Sequence, residues 1–328
     1  MQENTLTAQA APDPVLSDFS LPLRRTFYPL GFPLELETNS EDVVQAASEG
    51  WGAFTPAYTG SPVRMRLGVM EGDSGAVPLQ SVIRSRGHLM SIVANRDNFA
   101  VCDFEQGFAF GWVTPQVAAD HPLLRYRFLT AAGTTLIEQR FLASLHGALI
   151  VRNGTGVMLC GDSFAGKSTL AYACARAGWT FVSDDGTFLV RSRSDRYAIG
   201  DPHTVRFRDD APTLFPELSE CMPAIRPNGK IAIELFTRDL PIATAPGCVV
   251  DHLVFLNRNH PGPARLRPCS KQKYLESWQC YTSFGADHTR AAQQQCHRRL
   301  LDARLWEMDY SDLCGAIARL ERLVDSGE

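Results

Sequence analysis

Gly161-Asp162-Ser163-Phe164-Ala165-Gly166-Lys167-Ser168-Thr169 is the stretch of this 328-residue chain that decides how the rest is read. It fits the pattern G-x-x-x-x-G-K-[ST] at every required position. The apolar run Val157-Met158-Leu159-Cys160 before it has strand character, and Lys167 to Ala177 after it, rich in Ala and Leu, reads as a helix stopped by Gly178. Strand, glycine-bearing turn and helix is the order such a loop needs. The glycines let successive N–H groups turn inward and cradle phosphate oxygens, and the helix N-terminus adds its dipole. The pattern also assigns side chains: Lys167 to the terminal phosphates and the Ser168 hydroxyl to a magnesium ion. Residues 161–169 are therefore expected to bind ATP with Mg²⁺.

Working outward, Ala148-Leu149-Ile150-Val151 reads as a short buried strand and Asn153-Gly154-Thr155-Gly156 as a turn. Downstream, Trp179-Thr180-Phe181-Val182 is a strand leading into Asp184-Asp185. A parallel strand beside that of the loop would bring both acids to the terminal phosphate. One acid there serves the metal and leaves the other for the attacking hydroxyl. Asp-Asp-Gly is also an ordinary turn sequence, so the pair draws its meaning from the loop one helix upstream. Thr187–Val190, Ala198–Ile199, Ile231–Leu235 and Leu253–Leu256 are further strand candidates. The last 60 or so residues read as helical: one helix after Ser270, one over Arg290 to Leu305, and one from Ser311 with apolar positions Leu313, Ile317, Leu320 and Val324.

The run Leu145-His146-Gly147, a β-hairpin, Gly161-Asp162-Ser163, Gly166-Lys167-Ser168, a helix, Gly178 and Asp184-Asp185 resembles the catalytic domain of bacterial HPr kinase/phosphorylase over about residues 145–190. The resemblance implies an α/β fold, a P-loop kinase domain akin to phosphoenolpyruvate carboxykinase. It further implies that Asp184 takes the proton of the acceptor hydroxyl, that His146 is its partner, and that Asp185 lies close to the metal with Ser168. A carboxylate beside a histidine can hold or pass a proton near neutral pH, which is chemistry a kinase needs. His146 taken alone is also consistent with a core histidine bonded to backbone. The chain departs from the family at Phe164, where the loop usually has Gly, at Thr169, where an acid is frequent, and at Cys248, which follows Ala245-Pro246-Gly247 where Arg is expected. The long signature of the bifunctional enzymes is missing, which points to an acceptor other than HPr.

The remainder frames this site. Residues 1–20 are polar and read as a tail, 21–140 as an N-terminal mainly β or α+β domain, and 141–328 as the kinase-like domain with C-terminal helices. In the N-terminal part Val63–Val69 and Phe99–Phe104 alternate with period two, Leu89–Ala94 is a further apolar run, and helices are expected over Pro122–Ala131 and Leu136–Ser144. With 45% hydrophobic residues the chain can bury a sizeable core, and a net charge of −4 offers no general attraction to nucleic acid. Nine cysteines without a C-x-x-C pair argue against zinc and disulfides and for a reducing, cytoplasmic setting. No stretch of 18 apolar residues spans a membrane. The arginines 191, 193, 196, 206 and 208 read as solvated strand edges, Arg258 and Lys230 as surface cations that could also meet phosphate. The first functional expectation is a kinase moving the γ-phosphoryl group of ATP to a hydroxyl of a protein or small molecule. The others are an ATP-dependent binding or switch module, or a carboxykinase-like enzyme. The N-terminal domain is open to substrate recognition or to assembly, and a homo-oligomer is open.

Overall fold

Val157-Met158-Leu159-Cys160 is buried on both sides, and this forces it into the interior of a sheet. The structure, a computed structural model, describes residues 19–72, 75, 81–225, 231–258, 262–272, 274–275 and 285–326. The chain divides into two compact units, residues up to Arg84 with Leu89–Leu136, and Ser85–His88 with Ile137 onward.

The first unit is a seven-stranded sheet with helices. Its elements are β1 (Leu23–Phe27), β2 (Leu34–Thr38), α1 (Glu41–Trp51), β3 (Val63–Val69), β4 (Val82–Arg86), β5 (Leu89–Asn95), β6 (Asn98–Asp103), β7 (Phe108–Val113), α2 (Pro115–Ala119) and α3 (His121–Leu124). The strand order is β1-β2-β3-β7-β6-β5-β4. β2, β3 and β7 run parallel, and β5, β6 and β7 form an antiparallel meander. Helix α1 was not foreseen, although it has an acidic first turn and buries Val43, Ala46, Ala47 and Trp51 at helical spacing. After α3 the chain continues as a π-helix over Arg125–Thr134 and then α4 (Thr135–Phe141). The helix expected over Leu136–Ser144 thus ends early. Leu142, Ala143 and Leu145 are buried in a strand that pairs with Gly186–Val190, and of residues 142–145 only Ser144 is exposed.

The second unit is built on two long strands, β8 (Leu142–Arg152) and β17 (Gly247–Arg258). Between them in sequence lie β9 (Thr155–Cys160), α5 (Lys167–Arg176), β10 (Thr180–Ser183), β11 (Gly186–Val190), β12 (Tyr197–Gly200), β13 (Thr204–Phe207), β14 (Ala224–Ile225), β15 (Ile231–Phe236) and β16 (Ala243–Thr244). After β17 come β18 (Arg265–Pro268), α6 (Asp287–Arg299), β19 (Arg304–Tyr310) and α7 (Leu313–Ser326). β8 pairs with β9 along one side, and with β10 and then β11 along the other. β17 pairs with β12 through its start and with β9 and β19 through its end, so β8, β11, β12, β17 and β9 close a circuit of pairings. β13, β15 and β14 form a separate small sheet. Helix α5 buries Leu170 to Ala175 in one core with Trp179, Phe207, Phe215, Tyr310 and Leu320, while β8, β11 and α6 contribute to a second.

Two further expectations are corrected. β10 does not adjoin β9: β8 lies between, antiparallel to both, so β9 and β10 are parallel but not neighbours. The helix expected over Arg290–Leu305 ends at Arg299, and Arg304–Tyr310 is a strand parallel to β17. The alternation Trp306-Glu307-Met308-Asp309-Tyr310 is the strand signal, with Met308 and Tyr310 buried. The expected helix after Ser270 has helical residues at 271–272 and 274–275, and its remainder lies outside the described residues, as does Lys230. Among the described residues no helix is long and apolar enough to cross a membrane, and the described cysteines are free thiols.

Candidate functional site

Three parallel strands, β9, β17 and β19, present their C-terminal ends together. Such ends are where ligands bind in α/β sheets, because the following turns open there. At the end of β9 the chain turns at Gly161 (φ 145°), passes Phe164 (φ 76°) and enters α5 from Gly166 (φ 90°). The last position admits only glycine. Besides its left-handed backbone, a Cβ there would collide with the hydroxyl of Tyr310, which donates to the Ala165 carbonyl at 2.9 Å. Strand β19 therefore clamps the loop from outside. Arg258, at the end of β17, has its Cδ 3.5 Å from the same point.

The Lys167 ammonium donates to the carbonyls of Gly161 (2.8 Å) and Asp162 (3.1 Å), bridging the loop it belongs to. Burial lowers its pKa, and Asp185, Cys160 and Asp162 oppose that shift. The first amides of α5 have no acceptor within the helix, so together with the helix dipole they favour an anion at this end.

Asp184 and Asp185 occupy the break between β10 and β11, opposite the middle of β8. There Gly186 pairs with His146, and Gly147 pairs with Cys160 across β8 and β9. The Gly147 amide donates to the Asp185 carbonyl at 3.1 Å, and the Ser168 hydroxyl to the Asp184 carbonyl at 3.3 Å. The two carboxylates differ sharply. Asp184 is 4% exposed, and one of its oxygens accepts the Arg206 amide at 2.8 Å. Burial pushes its pKa up to about 6 against the opposing charge of Arg206. Asp185 is exposed, and its Oδ1 lies 2.9 Å from His146 Nδ1. Burial of its surroundings works to raise it, but the hydrogen bond and charge of His146, helped by Lys167 and Arg206, hold it below the usual carboxylate range. His146 is thus the partner of Asp185, where Asp184 was expected.

Strand β13 brings groups that the sequence reading left on a solvated edge. Its register against β15 sets Val205 and Phe207 into the core, and Arg206 beside Glu234 at 2.7 Å on the other face. Arg208 follows and lays its guanidinium carbon 3.4 Å from the centroid of the Phe164 ring. Arg206, Arg208 and Tyr310 are the site residues that sequence reasoning missed. For Tyr310 the alternating strand pattern was the available signal; the two arginines carried none, because only pairing across the sheets places them. Arg191 and Arg193 instead serve structure, bonding the Gln139 carbonyl and Asp195.

Among the described residues no cluster of three His, Cys, Asp or Glu side chains could hold a metal by itself. A magnesium ion that takes phosphate and water oxygens needs fewer protein ligands. The Ser168 hydroxyl and the ionised Asp185 carboxylate are hard oxygen donors of the right kind, and the donor set fits the ion.

No protein-family model matches the sequence, and no curated protein matches it. Among solved structures, the HPr(Ser) kinase/phosphatase from Coxiella burnetii is similar over 56% of this chain and 98% of its own, at 16% identity and a TM-score of 0.25. Likeness at that level carries no weight for fold or activity. The α/β assignment rests on the strand and helix order described above.

Proposed function

We propose that the second unit is a kinase domain of P-loop type, which binds ATP and transfers its γ-phosphoryl group to a hydroxyl acceptor. One observation carries the reading: the Ser168 hydroxyl bonds to the Asp184 carbonyl, so the start of α5 and the acid pair form one assembly around the mouth of the loop. Phosphoryl transfer asks mainly for positioning, charge neutralisation and a proton acceptor. Residues 161–169 supply the first through main-chain amides. Lys167 supplies the second by leaving the Gly161 and Asp162 carbonyls for the terminal phosphates. Asp185, kept ionised by His146, and Ser168 would hold Mg²⁺, which supplies further charge neutralisation when bound. Asp184 supplies the third. The acceptor oxygen bonds to the γ-phosphorus, the bond to the β–γ bridging oxygen breaks, ADP leaves, and the hydroxyl proton passes to Asp184. A buried carboxyl titrating near 6 is suited to that task at neutral pH.

The test is incubation with γ-labelled ATP and Mg²⁺ against protein and metabolite panels, with Lys167→Ala as the blank. Label on an acceptor with the wild type and none with the blank is the expected result. Equal label in both would remove the loop as the source. The exposed ring of Phe164 in the loop favours a second reading, a module whose partner surface is ordered by ATP without transfer. Nucleotide-dependent assembly with no labelled product would select it.

A further inference from the structure

Phe164 combines two unfavourable features. Its φ of 76° lies in the left-handed region that favours glycine, and its ring is 71% exposed. Strained backbone persists where surrounding structure imposes it, and it concentrates at functional sites. A large exposed ring gains little from water, so its contact partner shows what it is for.

That partner is Arg208. The guanidinium lies face-on over the ring, at a distance where cation–π attraction is strong. β13 determines where Arg208 emerges: its amide at Arg206 holds Asp184, and the Arg206 side chain is spent on Glu234. Arg208 is exposed and forms no ion pair with a described carboxylate, although Asp209 and Asp210 follow it in the chain. An exposed guanidinium with no ion pair among the described residues is therefore held against the tip of the loop, two residues beyond the amide that Asp184 accepts.

Resting on the phosphate-loop reading, we infer that Arg208, held in place by Phe164, is the group that distinguishes a nucleoside triphosphate from a diphosphate at this site. The guanidinium turns from the ring to the terminal phosphate, where its planar fork makes two parallel N–H···O bonds. Phe164 is the positioning residue: it confines the guanidinium before the nucleotide arrives, so less freedom is lost on contact. Lys167 makes less of this distinction, since one of the two phosphates it reaches, the β-phosphate, is present in both nucleotides. The exposed ring at this strained position is thereby accounted for, because a glycine there would offer no platform.

The experiment measures dissociation constants of the full-length protein for ADP and for the non-hydrolysable triphosphate AMP-PNP with Mg²⁺, with GDP and GMP-PNP run in parallel. The wild type is expected to prefer the triphosphate. R208Q is expected to weaken triphosphate binding about tenfold or more, as the loss of one charge-assisted contact implies, and to hold the diphosphate constant. F164G removes the ring and is expected to lose the triphosphate preference, read as the ratio of the two constants, and F164Y to keep it. R208Q with an unchanged preference, or with both nucleotides weakened equally, would overturn the assignment. A wild type that binds neither nucleotide, or a K167A variant that binds as the wild type does, would instead overturn the phosphate-loop reading beneath it.

Discussion

The imidazole Nδ1 of His146 sits 2.9 Å from Asp185 Oδ1, while the neighbouring Asp184 turns inward to accept the Arg206 amide. Two adjacent residues thus have opposite surroundings. An inward carboxyl that titrates high and an outward one held ionised are the environments that separate a proton acceptor from a metal ligand.

Asp184→Asn should leave nucleotide affinity near that of the wild type and reduce transfer by about 10²–10⁴-fold, the range typical of a lost general base. Single-turnover transfer of γ-label, with binding measured by calorimetry, checks both halves. Retained transfer would remove Asp184 from the role.

His146→Gln removes the group that holds Asp185 low. The Asp185 pKa should rise toward its ordinary value, and the Mg²⁺ concentration needed for half-maximal nucleotide binding should rise about 10–100-fold, as for lost partners of metal ligands. A magnesium titration at constant nucleotide reads this directly, and an unshifted midpoint would contradict it.

Gly166→Ala meets both a left-handed backbone and the Tyr310 hydroxyl. It should cost about 1–3 kcal/mol of stability. Tyr310→Phe removes the bond to the Ala165 carbonyl and should cost about 0.5–1.5 kcal/mol. Because the two share one contact, Gly166→Ala should cost less in the Tyr310→Phe background, and denaturant melts of the four proteins measure the coupling.

His297, buried on α6 against β8, has its Nε2 3.0 Å from the Ser144 carbonyl. Burial pushes its pKa down to about 4. The sign follows. Below its ordinary value near 6.5 the unfolded chain takes up a proton that the folded chain refuses, so stability falls as pH drops from about 6.5 to 4. The loss over that window should be of order 3 kcal/mol. His297→Gln should flatten that part of the stability–pH curve; an unaltered slope would assign it to other groups.

The loop and its immediate flanks were legible because short-range geometry decides them. Gly161 and Gly166 take positive φ, Cys160 ends a buried strand, and Lys167 opens a helix, all within a dozen residues whose backbone choices depend on one another. The strand β19 was legible too, in the alternation Trp306 to Tyr310, but was lost to the helical character of the residues before it. What local pattern could not reveal was who neighbours whom.

By itself the sequence determined a strand–loop–helix unit with a lysine and a serine at its mouth, and an acid pair one helix later. Tertiary structure alone decided that β8 intervenes between β9 and β10, that His146 meets Asp185, that Arg206 meets Asp184, and that Tyr310 and Arg208 reach the loop from the ends of β19 and β13. The reason is physical. Turn and helix geometry follow from dihedral preferences and hydrogen bonds between residues close in the chain. Strand pairing joins residues up to 95 positions apart, as Phe255 and Cys160 are, and it is selected only when the whole sheet buries its apolar faces together.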